Sequence, residues 1–264
     1  MCDTKPLIRC DQQIIEPEIN IFLELLYKSP FENYQNVIVD LDITTVFWVY
    51  YIIKKYRPSL IIQNNLTNPV SDSIISWFIT ILCPDTQIIY VDNDFDKKPH
   101  IDMNIMSTYR LTTFEQNDWI HEFGIEKCNN TLILSFAHYN HLDIIRHAYN
   151  NHIRHIIFPD NYPTIQGDHL TIKKILSNKY HISSNGVETT FYYIQKEHKA
   201  NLDKMCDCFE FPPIYLDTHI TRWGDAFNDH ICKPSIITNY THKLLPFKDY
   251  QLNYTFPCFV KINI

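Results

Sequence analysis

The sequence predicts an α/β fold with a Rossmann-like, doubly wound and mostly parallel sheet, helices on both faces, and antiparallel edge strands near the C-terminus. Three observations predict it. Short segments that are apolar throughout recur along the chain, which is typical of strands buried on both faces of a parallel sheet. Helical segments separate them, and these spacings are too long for hairpins. The tail, which ends in FVKINI, has the short strand-like pattern expected at a sheet edge.

The predicted elements follow one another along the chain. An amphipathic segment at 19–27 precedes a largely buried helix at 42–56. Alternating strands and helices then follow. The predicted strands are 59–63, 87–91, 131–136 and 154–158, and the predicted helices are 71–82, 113–123, 141–151, 169–178 and 187–208. Ser71 is the expected N-cap of the first of these helices, and Gly124 is the expected C′ residue of the second.

The chain is predicted to form one domain over residues 1–264, because it contains no internal repeat, no low-complexity tract and no inter-domain linker. Within this domain, 1–41 is an N-terminal extension, 42–200 is the α/β core, and 201–264 is a C-terminal segment with edge strands. The length and the 45% content of hydrophobic residues are sufficient for one sizeable core.

Composition excludes several classes of function. The formal net charge is −7 and no run of Lys or Arg occurs, which argues against nucleic acid or an anionic membrane as a partner. The start of the chain lacks the apolar region of a signal peptide, and no 18-residue apolar span occurs. A cytoplasmic protein with reduced thiols is therefore expected, despite eight cysteines. The richness in Ile, Asn, Tyr and Phe is typical of an AT-rich genome such as that of a giant virus, in which case the location would be the host cytoplasm or the virion.

Only four glycines occur in the chain, and no two of them are close in sequence. Phosphate-binding loops of the Walker and dinucleotide types need several glycines within a few residues, because the backbone must approach the phosphates closely. These nucleotide-binding motifs are therefore excluded.

Candidate functional residues lie in the loops that follow the predicted strands, where doubly wound sheets bind ligands. Asp92 and Asp94 follow the second strand, and a carboxylate there can accept hydrogen bonds from both hydroxyls of a ribose. Asn64, after the first strand, is the third candidate for cofactor binding. The alternative interpretation is that the two aspartates cap or solvate a surface turn.

A second group of candidates follows the third and fourth strands. His138 and His141 could share a site with Asp160 and Asp168, because imidazole nitrogens and carboxylate oxygens are common metal ligands. The segment 155–175 contains two prolines and a glycine, which would hold its aspartates in one orientation as an active-site wall. The alternatives are an ordinary surface in a chain with 13 histidines and a rigid structural turn. Cys206-x-Cys208 lacks the second cysteine pair of a zinc ribbon.

Four stretches carry a resemblance to a known family: SFAHYNH (135–141), FPDNYPTIQGD (158–168), FEFPP (209–213) and TRWGDAFNDH (221–230). In these stretches the chain resembles class I S-adenosylmethionine-dependent methyltransferases, in the branch related to cephalosporin-hydroxylase-like and sugar O-methyltransferase proteins. The resemblance covers roughly residues 50–235.

The resemblance implies a residue-by-residue set of roles. Asp92 or Asp94 would hold the ribose of S-adenosylmethionine, His138 would be the general base, and Asp160 would orient the substrate or a divalent metal such as Mg²⁺. Asp160 and Asp168 are the implied metal-binding carboxylates, and His141 is the third predicted metal ligand, from the spacing of the histidines. The chain departs from the family at two places: the turn QNNLTNPV after the first strand has no glycine, and Ser-Phe-Ala stands where related enzymes have an acidic pair before the histidine.

Three hypotheses of function follow. The first is an O-methyltransferase that acts on a hydroxyl of a small polar or sugar-like substrate. The second is a catalytically degenerate Rossmann protein kept for binding or assembly, for example a structural or accessory protein of a virus, because both departures remove parts of the catalytic apparatus. The third is a metal-dependent hydrolase or hydroxylase that uses His138, His141 and Asp160.

Overall fold

A computed structural model describes most of the 264-residue chain. The described residues are 12–30, 42–67, 69–94, 107–137, 139–163, 169–177, 181–184, 187–190, 192–214, 231, 233–237 and 254–264. Two predicted site residues, His138 and Asp168, lie outside them.

The described elements alternate between helix and strand through the middle of the chain. In chain order they are α1 Gln12–Tyr27, α2 Ile43–Tyr56, β1 Leu60–Asn64, α3 Pro69–Leu82, β2 Gln87–Asp92, β3 Ser107–Leu111, α4 Trp119–Asn129, β4 Thr131–Ser135, α5 His141–Asn150, β5 His155–Phe158, α6 Ile172–Leu176, β6 His181–Ser184, β7 Val187–Thr190, α7 Tyr192–Met205, β8 Cys206–Glu210 and β9 Cys258–Ile262. A short 3₁₀ helix, Phe114–Gln116, precedes α4.

The main sheet has seven strands in the order β3-β2-β1-β4-β5-β9-β8. The first five are parallel, and β9 is antiparallel to both of its neighbours. The order β3-β2-β1-β4-β5 is that of a Rossmann sheet, in which the chain reverses its direction of winding between β1 and β4. The predicted fold class, including the antiparallel strands at the C-terminal edge, is confirmed.

Two apolar layers cover the sheet, one on each face. Side chains from α1, α2 and α3 pack on one face, and side chains from α5, α6 and α7 pack on the other. The five central strands β1, β2, β4, β5 and β9 supply both layers in alternation, so that Ile61 belongs to the first layer and its neighbour Ile62 to the second. Helix α2 is buried on nearly all sides, with Trp48 stacked on Phe211 at 4.4 Å between ring centroids.

The four predicted parallel strands are confirmed as β1, β2, β4 and β5, each to within a residue or so at its ends. Ser71 lies inside α3, which begins at Pro69, so the prediction that it is the N-cap is wrong. Two helix predictions are also wrong. The segment 113–123 forms the 3₁₀ helix and then α4, which begins only at Trp119, and Gly124 interrupts that helix with φ at 76°. The segment 187–208 contains strand, helix and strand rather than one long helix. No helix in the described part of the chain is long and apolar enough to cross a membrane.

Candidate functional site

The centre of the candidate site is the point between β1 and β4 where the winding reverses. Asn64 and Ser135 end these two strands and lie side by side in the parallel register. The Asn64 side-chain amide donates to the Ser135 hydroxyl at 3.4 Å, and Asn64 is fully buried. Its side-chain oxygen, Oδ1, has no hydrogen-bond partner among the residues that the structure describes. A buried acceptor without a donor costs about 1–3 kcal/mol, so this position favours a ligand that supplies one.

The turn from β1 into α3 has a positive-φ residue although it contains no glycine. Asn65 takes the left-handed conformation with φ at 65°, and its backbone N–H donates to the carbonyl of Val91 at 2.8 Å. Asparagine tolerates this region better than other residues with a side chain, because its short polar group can hydrogen-bond locally. The missing glycine therefore does not prevent a positive-φ turn at this position.

A buried carboxylate, that of Asp72, holds the same turn from the first turn of α3. Its Oδ1 accepts hydrogen bonds from the Gln63 side-chain amide at 2.6 Å, from the Thr67 hydroxyl at 2.6 Å and from the Thr67 backbone N–H at 3.3 Å. Burial raises the pKa of Asp72 above its usual value, although these hydrogen bonds act in the opposite direction. Side chains thus stabilise the turn that lies over the end of β1.

Asp92, predicted to bind a ribose, ends β2 and is only 1% exposed. Its Oδ2 accepts the Leu66 N–H at 3.0 Å, and its Oδ1 accepts the Asp94 N–H at 2.9 Å. The carboxylate therefore joins the turn after β1 to the loop after β2. Asp94 lies two residues further out and is partly exposed, and Asn93 beside it is exposed and donates to the Tyr139 hydroxyl at 3.3 Å.

A third buried carboxylate, that of Asp42, lies at the same edge of the sheet, near the loop after β5. Asp42 caps α2 by accepting the Thr45 N–H at 2.8 Å, and its Oδ2 is 3.1 Å from the Thr255 hydroxyl. That hydroxyl is also 2.7 Å from the carbonyl oxygen of Pro159. Burial is the main cause that raises the pKa of Asp42 to about 6, and the neighbouring Asp160 carboxylate adds to the increase.

The loop after β5 is held from both sides. The Asn161 N–H donates to the Thr255 carbonyl at 3.1 Å, and the Asn161 side-chain oxygen accepts the Lys173 N–H at the start of α6 at 2.8 Å. The Lys173 ammonium in turn forms an ion pair with Glu210 at 2.7 Å. Asp160 lies within this fixed loop and is partly exposed. Its presentation by a rigid loop is what the prediction of an active-site wall requires.

The predicted metal ligands differ in exposure: His141 is buried, whereas Asp160 is partly exposed. His141 is 2% exposed, its ring stacks on Phe158 at 3.9 Å, and its Nδ1 accepts the Ile172 N–H at 3.3 Å. Through these contacts the buried His141 side chain connects the start of α5 to the start of α6. Among the residues that the structure describes, no group of three or more His, Cys, Asp or Glu is arranged to hold a metal ion. The proposed set with Asp160 and Asp168 remains a prediction, since Asp168 lies outside those residues.

Sequence reasoning missed three polar residues that build this edge: Asp42, Asp72 and Thr255. Asp42 had a usable signal, because an aspartate immediately before a long apolar run is a typical N-cap. Asp72 and Thr255 had none, since their partners are set by the turn geometry and by a contact between residues far apart in sequence.

Comparisons with known proteins found little. No protein-family model and no curated protein matches the chain. Two solved structures match part of it: the CmcI-N160 apo-structure, at 21% identity and a TM-score of 0.36 over 44% of this chain and 51% of that chain, and the cmcI-N160 SAH structure, at 19% identity and a TM-score of 0.33 over 42% and 53%. The chain spans about half the length of each. The fold assignment rests instead on the order of the strands: the chain has a Rossmann-like α/β fold, the class that its resemblance to the class I methyltransferases predicts.

Proposed function

We propose that the edge of the sheet at the ends of β1 and β2 binds S-adenosylmethionine, and that the protein transfers its methyl group to a hydroxyl of a small polar or sugar-like substrate. The observation that carries the proposal is the buried, unpartnered oxygen of Asn64 at the point where the sheet reverses its winding. Rossmann sheets bind their ligands at this point, and the oxygen lacks the donor that a ligand would bring.

The residues around Asn64 fit this cofactor in three respects. The Asn64 oxygen can accept a hydrogen bond from the ammonium of the methionine part. Asn65 gives the turn its left-handed residue, so the backbone can pass close to a ligand without glycine. Asp94, which is partly exposed, is the better candidate for the ribose hydroxyls than Asp92, whose two oxygens already accept backbone N–H groups. The cofactor would supply the reactive methyl group, and the protein would bind and orient it.

On the substrate side, the proposal retains His138 as the base and Asp160 as the orienting group. A histidine is suited to taking a proton from a hydroxyl near neutral pH. The fixed loop from Pro159 to Asn161 supports the role of Asp160, because both ends of that loop are hydrogen-bonded to the C-terminal segment at Thr255. A rigid loop can hold a substrate hydroxyl in one orientation.

Calorimetric titration with S-adenosylhomocysteine tests the cofactor site. We expect Asn64→Leu to weaken binding by about tenfold, which corresponds to the loss of a single buried hydrogen bond. Asn129→Leu is the matched control, because Asn129 also has a buried, unpartnered side-chain oxygen but ends α4 at the opposite edge of the sheet. We expect no change in its affinity. The absence of heat and of any thermal shift at millimolar ligand with the unaltered protein would refute the proposal.

A second titration separates the two aspartates. Asp94→Ala should weaken S-adenosylhomocysteine binding and should lower stability less than Asp92→Ala does, since this side chain is partly exposed whereas that of Asp92 is buried. The main effect of Asp92→Ala should be a loss of stability, because it leaves the Leu66 and Asp94 N–H groups without their acceptor. If Asp94→Ala binds the ligand as tightly as the unaltered protein does, Asp94 does not hold the ribose.

The second candidate function is a Rossmann protein that has lost catalysis and serves in binding or assembly. The observation that favours it is that the turn after β1 packs over the end of β2. The Leu66 side chain is buried in the core at 6% exposure, and the Leu66 N–H donates a hydrogen bond to the Asp92 carboxylate. This candidate predicts that neither S-adenosylmethionine nor S-adenosylhomocysteine binds. The same calorimetric titration therefore decides between the two functions.

A further inference from the structure

Two cysteines on the edge strand β8 lie close together, away from the proposed cofactor site. Cys206 and Cys208 are two residues apart in the strand, so their side chains point to the same face. Their sulfur atoms are 3.6 Å apart and neither belongs to a disulfide. Cys206 is buried and its thiol approaches the Leu202 carbonyl at 3.5 Å, while Cys208 is partly exposed. The pair is therefore a preformed dithiol.

We propose that Cys206 and Cys208 form a binding site for a soft, thiophilic ion of low coordination number, of which Cu(I) is the biological example. Thiolate ligands select such ions over harder ones. A structural zinc site needs four ligands, and no group of three or more His, Cys, Asp or Glu suited to a metal occurs among the residues that the structure describes. Two converging sulfurs suit an ion that is satisfied by two ligands.

Two carboxylates lie close to the pair. The hydrogen bond with Cys206 and burial raise the pKa of the Cys208 thiol well above its usual value, and the carboxylates of Asp207 and Asp203 add to the increase. The same carboxylates attract a cation to the site.

Two probes test the site on the full-length protein under reducing conditions. Cu(I) is titrated in competition with a chromophoric Cu(I) chelator, and phenylarsine oxide reports whether two thiols can bind a single atom. We expect the unaltered protein to take up phenylarsine oxide with the loss of two titratable thiols, and Cys206→Ser and Cys208→Ser each to abolish that uptake and weaken Cu(I) binding at least tenfold. The matched control is Cys128→Ser, which removes a buried cysteine that lies elsewhere in the fold, and it should change neither result.

The substitution at the buried position could also disturb folding, so the partly exposed position decides the outcome. Cys208→Ser should keep the thermal stability of the unaltered protein, while it no longer takes up phenylarsine oxide and binds Cu(I) more weakly. Unchanged phenylarsine oxide uptake or Cu(I) affinity in a folded Cys208→Ser protein would overturn the proposal. So would the absence of phenylarsine oxide uptake by the unaltered protein.

Discussion

Replacing Asp42 with asparagine should make the protein more stable at neutral pH. The pKa of Asp42 is raised from 3.8 to about 6 in the folded protein, chiefly by burial. Between these two values the folded chain keeps a proton that the unfolded chain has lost, so stability falls as pH rises through this window and is lowest above about 6. Asparagine resembles the protonated carboxyl in shape and remains neutral at every pH.

The expected gain follows from the contacts of the side chain. A difference of about two pKa units corresponds to about 3 kcal/mol at neutral pH. Asparagine keeps the acceptor for the Thr45 N–H and can donate from its amide to the Thr255 hydroxyl, which then donates its single hydrogen to Pro159. The Thr45 hydroxyl loses its acceptor on Oδ2, at a cost of about 1 kcal/mol. The net gain is therefore about 2 kcal/mol.

Urea unfolding of the two proteins between about pH 4 and pH 8 measures this difference. His155, whose pKa is lowered to about 4 mainly by burial, has the opposite pH dependence, but it is present in both proteins and cancels when they are subtracted. The advantage of Asp42→Asn should grow from about pH 4 to about pH 6 and then stay level. A difference that does not change with pH would refute the reasoning, because the buried carboxyl would then titrate as it does in the unfolded chain.

Three further predictions concern the backbone and the core. Asn65→Ala should lower the free energy of unfolding by about 1 kcal/mol, because Asn65 has φ at 65°, whereas Asn65→Gly should leave it nearly unchanged; chemical unfolding compares them, and equal losses would contradict the reasoning. Gly124→Ala should cost about 1–3 kcal/mol through its backbone conformation alone, with φ at 76° and ψ at 158°, since no atom lies within 4 Å of the added carbon, and Gly124→Asn should be no milder because asparagine tolerates only the left-handed helical region. His155→Phe should abolish the loss of stability that occurs as pH falls from about 6.5 to about 4, because burial, with Lys261 and Arg154 nearby, disfavours the protonated ring; a loss that persists in thermal unfolding would exclude His155 as its source.

The parallel strands could be predicted from the sequence because burial on both faces leaves continuous apolar runs, as in β1 and β4. The strands that were missed lack this signal. β3 has the sequence STYRL, lies at the edge of the sheet and is largely accessible to solvent, so nothing in its composition distinguishes it from a loop. β8 continues directly from the end of α7, and only its pairing with β9, which begins at Cys258, makes it a strand. A contact across so many residues leaves no local pattern.

The location of the candidate site could be predicted once the parallel strands were identified, because Rossmann sheets bind ligands where those strands end. The roles of individual side chains could not. Asp92 is at the predicted edge, but the turn after β1 folds back so that the Leu66 N–H meets its carboxylate, and this contact depends on the left-handed residue Asn65. The partly exposed carboxylate next along this loop is that of Asp94. Asn64, predicted as a cofactor-binding residue, is a buried acceptor whose oxygen has no hydrogen-bond partner among the described residues. A residue type at a strand end thus identifies a candidate position, while its role depends on which backbone groups the neighbouring turn has already brought to it.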